Sequence, residues 1–351
     1  MEVDFGGAGE VRFERTGKAG VITLTRPKAL NALTHTIVAA MRRALRAWET
    51  DGDVALVVVR GEGRAFCAGG DILDVYRAGR EGRVMNGFFQ EEYALNAHIA
   101  RFPKPYVALI DGIVMGGGCG ISVHGSHRVY GSNAVLAMPE VGIGFFPDVG
   151  GGHFLPRLKG LSGMWLGLTG NRVKQGDALA IGAATHAVST DAMDAVFAAL
   201  CETGDADGAI AAHSETPESL AQAGDFDAMD RLFAASSLAG IMKTLEADAA
   251  AGGTFAQTCL DTMATRSPTS MAVTFRQLRE GAYLSMDECM RMEYRIVNRM
   301  LTGHDFYEGI RAVLVDRDNA PVWEPASLAA IDPTAIDAYF APLDGPELDL
   351  A

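Results

Sequence analysis

Apolar residues recur along this chain in two rhythms, short β-prone runs and helical stripes, punctuated by glycine and proline. Residues 11–15 and 21–25 are the first such runs; Gly17 and Gly20 between them predict a hairpin, which Arg26-Pro27 ends. Thr34 opens a stripe with Ile37, Met41, Leu45 and Trp48 at helical spacing, predicting a helix to about Thr50 with those side chains in the core. Residues 55–59 predict a buried strand that opens into a glycine-rich loop, 61–71, ahead of a helix. The order then returns. Residues 85–102 predict a helix that Pro103 and Pro105 stop, 106–110 a strand, and Gly116-Gly117-Gly118 a turn into another helix. Repeated strand, glycine loop and helix predict a layered α/β core.

From about residue 191 helices dominate. Ser267 with Pro268 predicts a capped helix start, Ser285 with Glu288 a capping box, and Asp305 with Glu308 a similar one. Residues 203–251 are rich in Ala, Asp and Gly, yet Ile210, Leu232, Phe233, Leu238 and Ile241 predict short helices there. Pro321 and Pro325 mark the end of the compact fold. The chain therefore divides into a core at 1–190, a helical region at 191–325 and a tail at 326–351.

With 351 residues and 48% hydrophobic content the chain can bury a large core. A net charge of −14 argues against nucleic acid as a partner, because neutralising phosphates takes a surplus of Lys and Arg. A polyanionic small ligand would need a local basic pocket. The five cysteines are odd in number and too widely spaced for a C-x-x-C pair, which fits a reducing, cytoplasmic location without disulfides or a metal site. The acidic start MEVDFGGAGEVRF has neither the apolar stretch of a signal peptide nor the arginines of a transit peptide. Between Tyr106 and Val123 only Asp111 is charged, but Gly112 and the glycine triplet would cripple a membrane-spanning helix. No membrane partner is expected.

Common catalytic signatures are absent: there is no G-x-S-x-G, G-x-G-x-x-G, Walker loop or H-E-x-x-H. Cys119, beside His124 and His127, sits in a Gly-Gly-Gly-Cys-Gly turn and reads as a small packing residue, and His153 has no spaced partner. Two glycine-rich turns and two acids remain. Glu140 and Asp148 stand in AMPEVGIGFFPDVGGGHFLPRL, an apolar stretch broken by Pro139, Gly142, Gly144, Pro147 and Gly150 to Gly152, which lets it fold back on itself. Taken alone, the acids read either as a converging catalytic pair or as a first-turn acid and a helix N-cap. Glycine at a strand-to-helix turn exposes backbone N–H groups, and two from separate turns can bind an oxyanion.

GRAFCAGGDI, KPYVALIDGIVMGGGCG and MPEVGIGFFPDVGGG resemble the crotonase (enoyl-CoA hydratase/isomerase) superfamily, as do QEEYALN, the passage from Phe154 to Gly170, and DFYEGIRAVLVDRDNAPVWEP. The resemblance spans nearly the whole chain apart from its ends and the Ala-rich middle. It implies an α/β, crotonase-like spiral of repeated β-β-α units with a helical C-terminal region, binding a coenzyme A thioester. It places Ala68 and Gly117 as oxyanion-hole donors, Glu140 and Asp148 as catalytic acids, and Glu92 with Gly69, Gly70 and Asp71 on the substrate. A hydratase has glutamate where this chain has Gly120, and glycine where it has Asp148. That exchange implies hydrolysis of a short branched 3-hydroxyacyl-CoA, with a hydratase or isomerase of the same fold as the alternative. An inert coenzyme-A-binding protein would lack the acids. No metal or other cofactor is implied, since the thioester is the substrate, and a homo-oligomer is the expected assembly.

Overall fold

Two sheets grow side by side, and through the middle of the fold the chain adds strands to them alternately. The computed structural model describes residues 1–83, 85–219 and 223–350. In the larger sheet β1 (Val11–Thr16) pairs antiparallel with β2 (Ala19–Leu24), the predicted hairpin. The order continues through β3 (Leu56–Gly61), β5 (Tyr106–Ile110), β7 (His127–Tyr130), β10 (His186–Val188) and β11 (Ser214–Glu215). The smaller sheet has the order β4 (Ala65–Cys67), β6 (Ile113–Met115), β8 (Val135–Ala137) and β9 (Arg172–Lys174). The pairs β3/β4, β5/β6 and β7/β8 each step from one sheet to the other. Each step is followed by helical structure, and the result is the expected spiral of β-β-α units.

The larger sheet is buried on both faces, which explains its near-continuous Val, Ile and Leu runs. Ile22, Val57, Val59, Ala108 and Ile110 face the main core, whereas Val21, Leu56, Val58, Val107 and Leu109 join a second cluster with Val196 and Leu200. The helix His35–Glu49 forms as its stripe predicts: Thr34 Oγ1 accepts the Ile37 amide at 3.2 Å, and Ile37, Met41, Leu45 and Trp48 are buried. Among the described residues no helix is long and apolar enough to cross a membrane.

Three features differ from the pattern. The strands β4, β6 and β8 are only three residues long, too short for an alternating signal, and β4 lies inside the stretch read as loop. After the glycine triplet the helix is one turn, Gly117–Gly120, because glycines each disfavour helix by about 1 kcal/mol. The capping boxes also divide. Ser285 and Glu288 form theirs fully, and Ser267 caps Pro268–Gly281 through the Ser270 amide at 3.0 Å. Asp305 and Glu308 do not: Gly303 precedes His304–Ile310, Asp305 is buried and accepts from the Ser267 hydroxyl and Glu324 amide, and Glu308 pairs with Arg311. Tertiary partners outcompete the local cap.

In the Ala-rich middle the short helices Ala206–Ala211 and Leu238–Ala250 form, and Ala223–Leu232 follows residues 220–222, which lie outside the described ones. The closing segment read as a tail packs on the helix Met286–Met300. Its own helix Pro333–Phe340 lies there, Phe340, Leu348 and Leu350 are buried, and Glu347 pairs with Arg295 at 2.9 Å.

Candidate active site

Where the spiral meets the C-terminal helices, a cavity of about 480 Å³ opens. Its lining includes Ala68, Gly69, Gly70, Glu92, Gly117, Glu140 and Asp148, seven residues drawn from four separate stretches of sequence. Asp71 stands apart from this lining: its carboxylate is paired with Arg26 at 2.9 Å.

The two glycine turns bring backbone donors to one point, though not the pair the resemblance implied. Ala68 donates its amide to Leu30 O at 3.0 Å, so that group is already committed. Gly70 bridges Leu33 in a parallel pairing, in which Leu33 N donates to Gly69 O and Asp71 N donates to Leu33 O, each at 2.8 Å. In that pattern the polar groups of 69 and 71 face Leu33 and those of Gly70 face away. The Gly70 amide is turned toward Gly117, where a Cβ would stand 3.1 Å from Gly70 N and 2.6 Å from Glu92 Oε1. Gly117 itself opens a helical turn, a position whose amide has no intrahelical acceptor. The amide left free beside Gly117 is therefore that of Gly70, whereas that of Ala68 is spent on Leu30. Gly69 at φ 116° permits the bend.

Glu140 follows β8 and Pro139 and begins the short 3-10 turn Glu140–Ile143. It is buried, and among the described residues its Oε2 has no hydrogen-bond partner. A Cβ on Gly116 would lie 2.9 Å from its other oxygen, so the glycine triplet and the acid are in contact. Asp148 is buried too. Tyr93 donates its hydroxyl to Asp148 Oδ2 at 2.8 Å, and the N-cap position of the next helix, Gly151–Phe154, belongs to Gly150. The N-cap reading of Asp148 is thereby excluded. Glu92 comes from Asn86–Ala100, buried beside Tyr93, and its Oε1 likewise has no partner among the described residues.

Burial raises all three carboxyls. Glu92 and Glu140 are pushed well above the ordinary carboxylate range, first by desolvation and then by the nearby Asp148. Asp148 rises to about 7 through desolvation, held back by the Tyr93 hydroxyl that favours its charged form. Asp148, poised in this way, suits proton transfer near neutral pH. Among the described residues there is no group of three His, Cys, Asp or Glu side chains able to hold a metal ion.

Position 120 is closed to a side chain. A Cβ there would meet Val149 Cβ at 2.7 Å and Asn96 Nδ2 at 2.8 Å, so an acid cannot be accommodated without displacing both neighbours. Sequence reasoning missed Tyr93, although it adjoins Glu92 in QEEYALN, and it missed Glu293, which reaches Gly150 from 143 residues away. It also missed the aromatic wall of Phe88, Phe89 and Phe145, and Arg172 and Arg266 on the lining. An aromatic in a helix reads as core by default, and nothing local marks Glu293.

The sequence profile of the enoyl-CoA hydratase/isomerase family matches residues 19–340, and the chain belongs to that family. Within it, the chain is 45% identical to "3-hydroxyisobutyryl-CoA hydrolase, mitochondrial" of Danio rerio, over 97% of this chain and 92% of that protein. The Homo sapiens protein of the same name is 40% identical over 97% and 91%. Among solved structures, a carnitinyl-CoA dehydratase from Mycobacterium thermoresistibile superposes with a TM-score of 0.91 at 42% identity, covering 97% and 98% of the two chains. An enoyl-CoA hydratase from Rhodobacter sphaeroides 2.4.1 gives 0.87 at 39% identity, covering 97% and 99%.

Proposed function

We propose that this protein is an acyl-CoA thioester hydrolase whose substrate is 3-hydroxyisobutyryl-CoA, released as 3-hydroxyisobutyrate and coenzyme A. The observation that carries the reading is the meeting of two backbone amides with Glu140 and Asp148 in one cavity, while position 120 is closed to the second acid of a hydratase. The names of the relatives over almost the whole chain support it.

In this reading the thioester oxygen lies between the Gly70 and Gly117 amides, whose hydrogen bonds strengthen as the tetrahedral oxyanion forms. Glu140, once ionised, either attacks the carbonyl carbon to give an anhydride that water cleaves, or takes a proton from the attacking water. Collapse of the oxyanion breaks the C–S bond, and the proton on Asp148 goes to the leaving thiolate. Glu92 binds the 3-hydroxyl. The reaction requires neither a metal nor a redox cofactor. A cytoplasmic location belongs to the same proposal and rests on five unpaired, buried cysteines; because the vertebrate relatives are named as mitochondrial, cell fractionation is its test.

The dehydratase and hydratase names of the similar structures favour a second reading, hydration of a double bond conjugated to the thioester or its reverse. One experiment separates the two. The purified protein is given 3-hydroxyisobutyryl-CoA with a thiol reagent, and crotonyl-CoA with absorbance monitoring of the conjugated bond. Thiol release from the first with little change in the second is expected. Rapid hydration of crotonyl-CoA without thiol release would replace the hydrolase reading with the hydratase one.

A further inference from the structure

The turn that carries Asp148 is conformationally expensive. Val149 has φ 52° and Gly150 φ 86°, and a β-branched residue in the left-handed region is held there only when its surroundings determine it. Those surroundings come from the C-terminal helices. Glu293, fully buried on Met286–Met300, accepts the Gly150 amide on Oε2 and the Gly152 amide on Oε1, each at 2.8 Å. Gln277, fully buried on Pro268–Gly281, donates to Pro147 O at 2.7 Å and to Glu293 Oε1 at 3.2 Å. His124 Nε2 also meets Val149 O at 2.8 Å.

The backbone on either side of Asp148 is therefore gripped, at Pro147 by Gln277 and at Gly150 and Gly152 by Glu293. A carboxyl buried between two helices is costly, and an apolar pair would fill the same space at lower cost if packing alone were needed. Glu293 also packs tightly on the turn, since a Cβ on Gly152 would stand 3.1 Å from its Oε1.

We propose that Glu293 and Gln277 are positioning residues for the reaction: together they hold the 147–152 turn in the strained form that aims Asp148 into the cavity. Neither lines the cavity, and both act through Asp148. The inference rests on the catalytic role given to Asp148 above. It assigns the C-terminal helices a part in catalysis as well as in covering the core.

The test is a double-mutant cycle on the full chain, read as thiol release from 3-hydroxyisobutyryl-CoA. Glu293→Gln places an amide donor against a backbone donor and lets the turn relax. A misplacement of this kind is expected to lower kcat about 10- to 100-fold, with KM within about twofold of wild type. In an Asp148→Asn background the same change should cost less than about threefold, because there is no longer an acid to aim. Gln277→Met, close in shape, should show the same dependence on Asp148 with a smaller loss, and it carries the cycle if Glu293→Gln is insoluble. Equal losses in both backgrounds, or no loss of kcat from either variant, would overturn the proposal. Near-normal turnover in Asp148→Asn alone would instead remove the role of Asp148, and the positioning role with it.

Discussion

Asp148 holds the clearest balance between stability and chemistry. Its carboxyl titrates at about 7 in the fold, far above the ordinary carboxylate range, because burial outweighs the Tyr93 hydrogen bond. A carboxyl raised in this way contributes stability that is fully present below its unfolded pKa and is lost as pH rises through the folded value, here up to about 7. Glu92 and Glu140 shift in the same direction. Asp148→Asn removes one of these titrations, so its melting temperature relative to wild type should increase between pH 5 and pH 8 while thiol release falls by orders of magnitude. Calorimetry at the two pH values checks the first part; a constant difference would mean that Asp148 is solvated. Because Glu140 must ionise and Asp148 must hold its proton to act, kcat/KM of the wild type should trace a bell that falls as pH rises past about 7, and a profile still climbing at pH 8 would contradict the role of Asp148 as proton donor. Gly120→Glu tests the steric argument. It should lower the melting temperature without creating crotonyl-CoA hydration, since overpacking a closed site typically costs about 1–3 kcal/mol.

Over the cavity runs a strap that follows His304–Ile310. It begins as a single π turn, Arg311–Val315, and Val313, Leu314 and Asn319 line the cavity beneath it. Arg317 and Asn319 both have positive φ, near 59° and 52°. One guanidinium ties the strap together: Arg311 pairs with Glu308 at 2.8 Å and with Asp316 and Asp318 at 2.7 Å each. Exposed pairs of this sort are individually weak, but three carboxylates on one arginine are lost together. Arg311→Met should therefore loosen the cavity wall more than the fold, raising KM for the acyl-CoA about two- to fivefold with kcat little changed. Steady-state kinetics decides it, and an unchanged KM would show that the strap holds without this hub.

The closing segment joins the scaffold to the site through the helix Met286–Met300. That helix carries Glu293 on one side and receives Pro333–Phe340 on another, with Arg299 donating to the Tyr339 and Pro342 carbonyls. Burying Phe340, Leu348 and Leu350 is worth about 1.5–3 kcal/mol for each side chain. Truncating the chain before residue 333 should lower the melting temperature by about 5 °C or more and reduce turnover with it. Thermal melts and thiol release on the truncated chain check this. A deletion that leaves both unchanged would return the segment to the status of a tail.

Some of this molecule was legible before any fold was known. The helix His35–Glu49, the strand Tyr106–Ile110 and the cap at Ser267 follow from periods and end signals that need only a few neighbouring residues. Glu140 and Asp148 stood out because an acid in an apolar, glycine-broken stretch has no solubility role. What local pattern could not decide was where backbone groups point and which distant side chains meet. Ala68 and Gly70 lie two residues apart and look interchangeable, yet Leu30 O takes the Ala68 amide while the pairing of Leu33 with the residues on either side of Gly70 leaves the Gly70 amide facing away. Asp71 looked like part of the same loop and is turned to Arg26. Asp305 had the spacing of a cap and is occupied by Ser267. Glu293 and Tyr93 reach Asp148 or its turn from other helices, and the closure of position 120 depends on Val149 and Asn96 arriving there together. Sequence periods encode which faces are buried; only packing brings those faces together and settles which polar groups remain free to act.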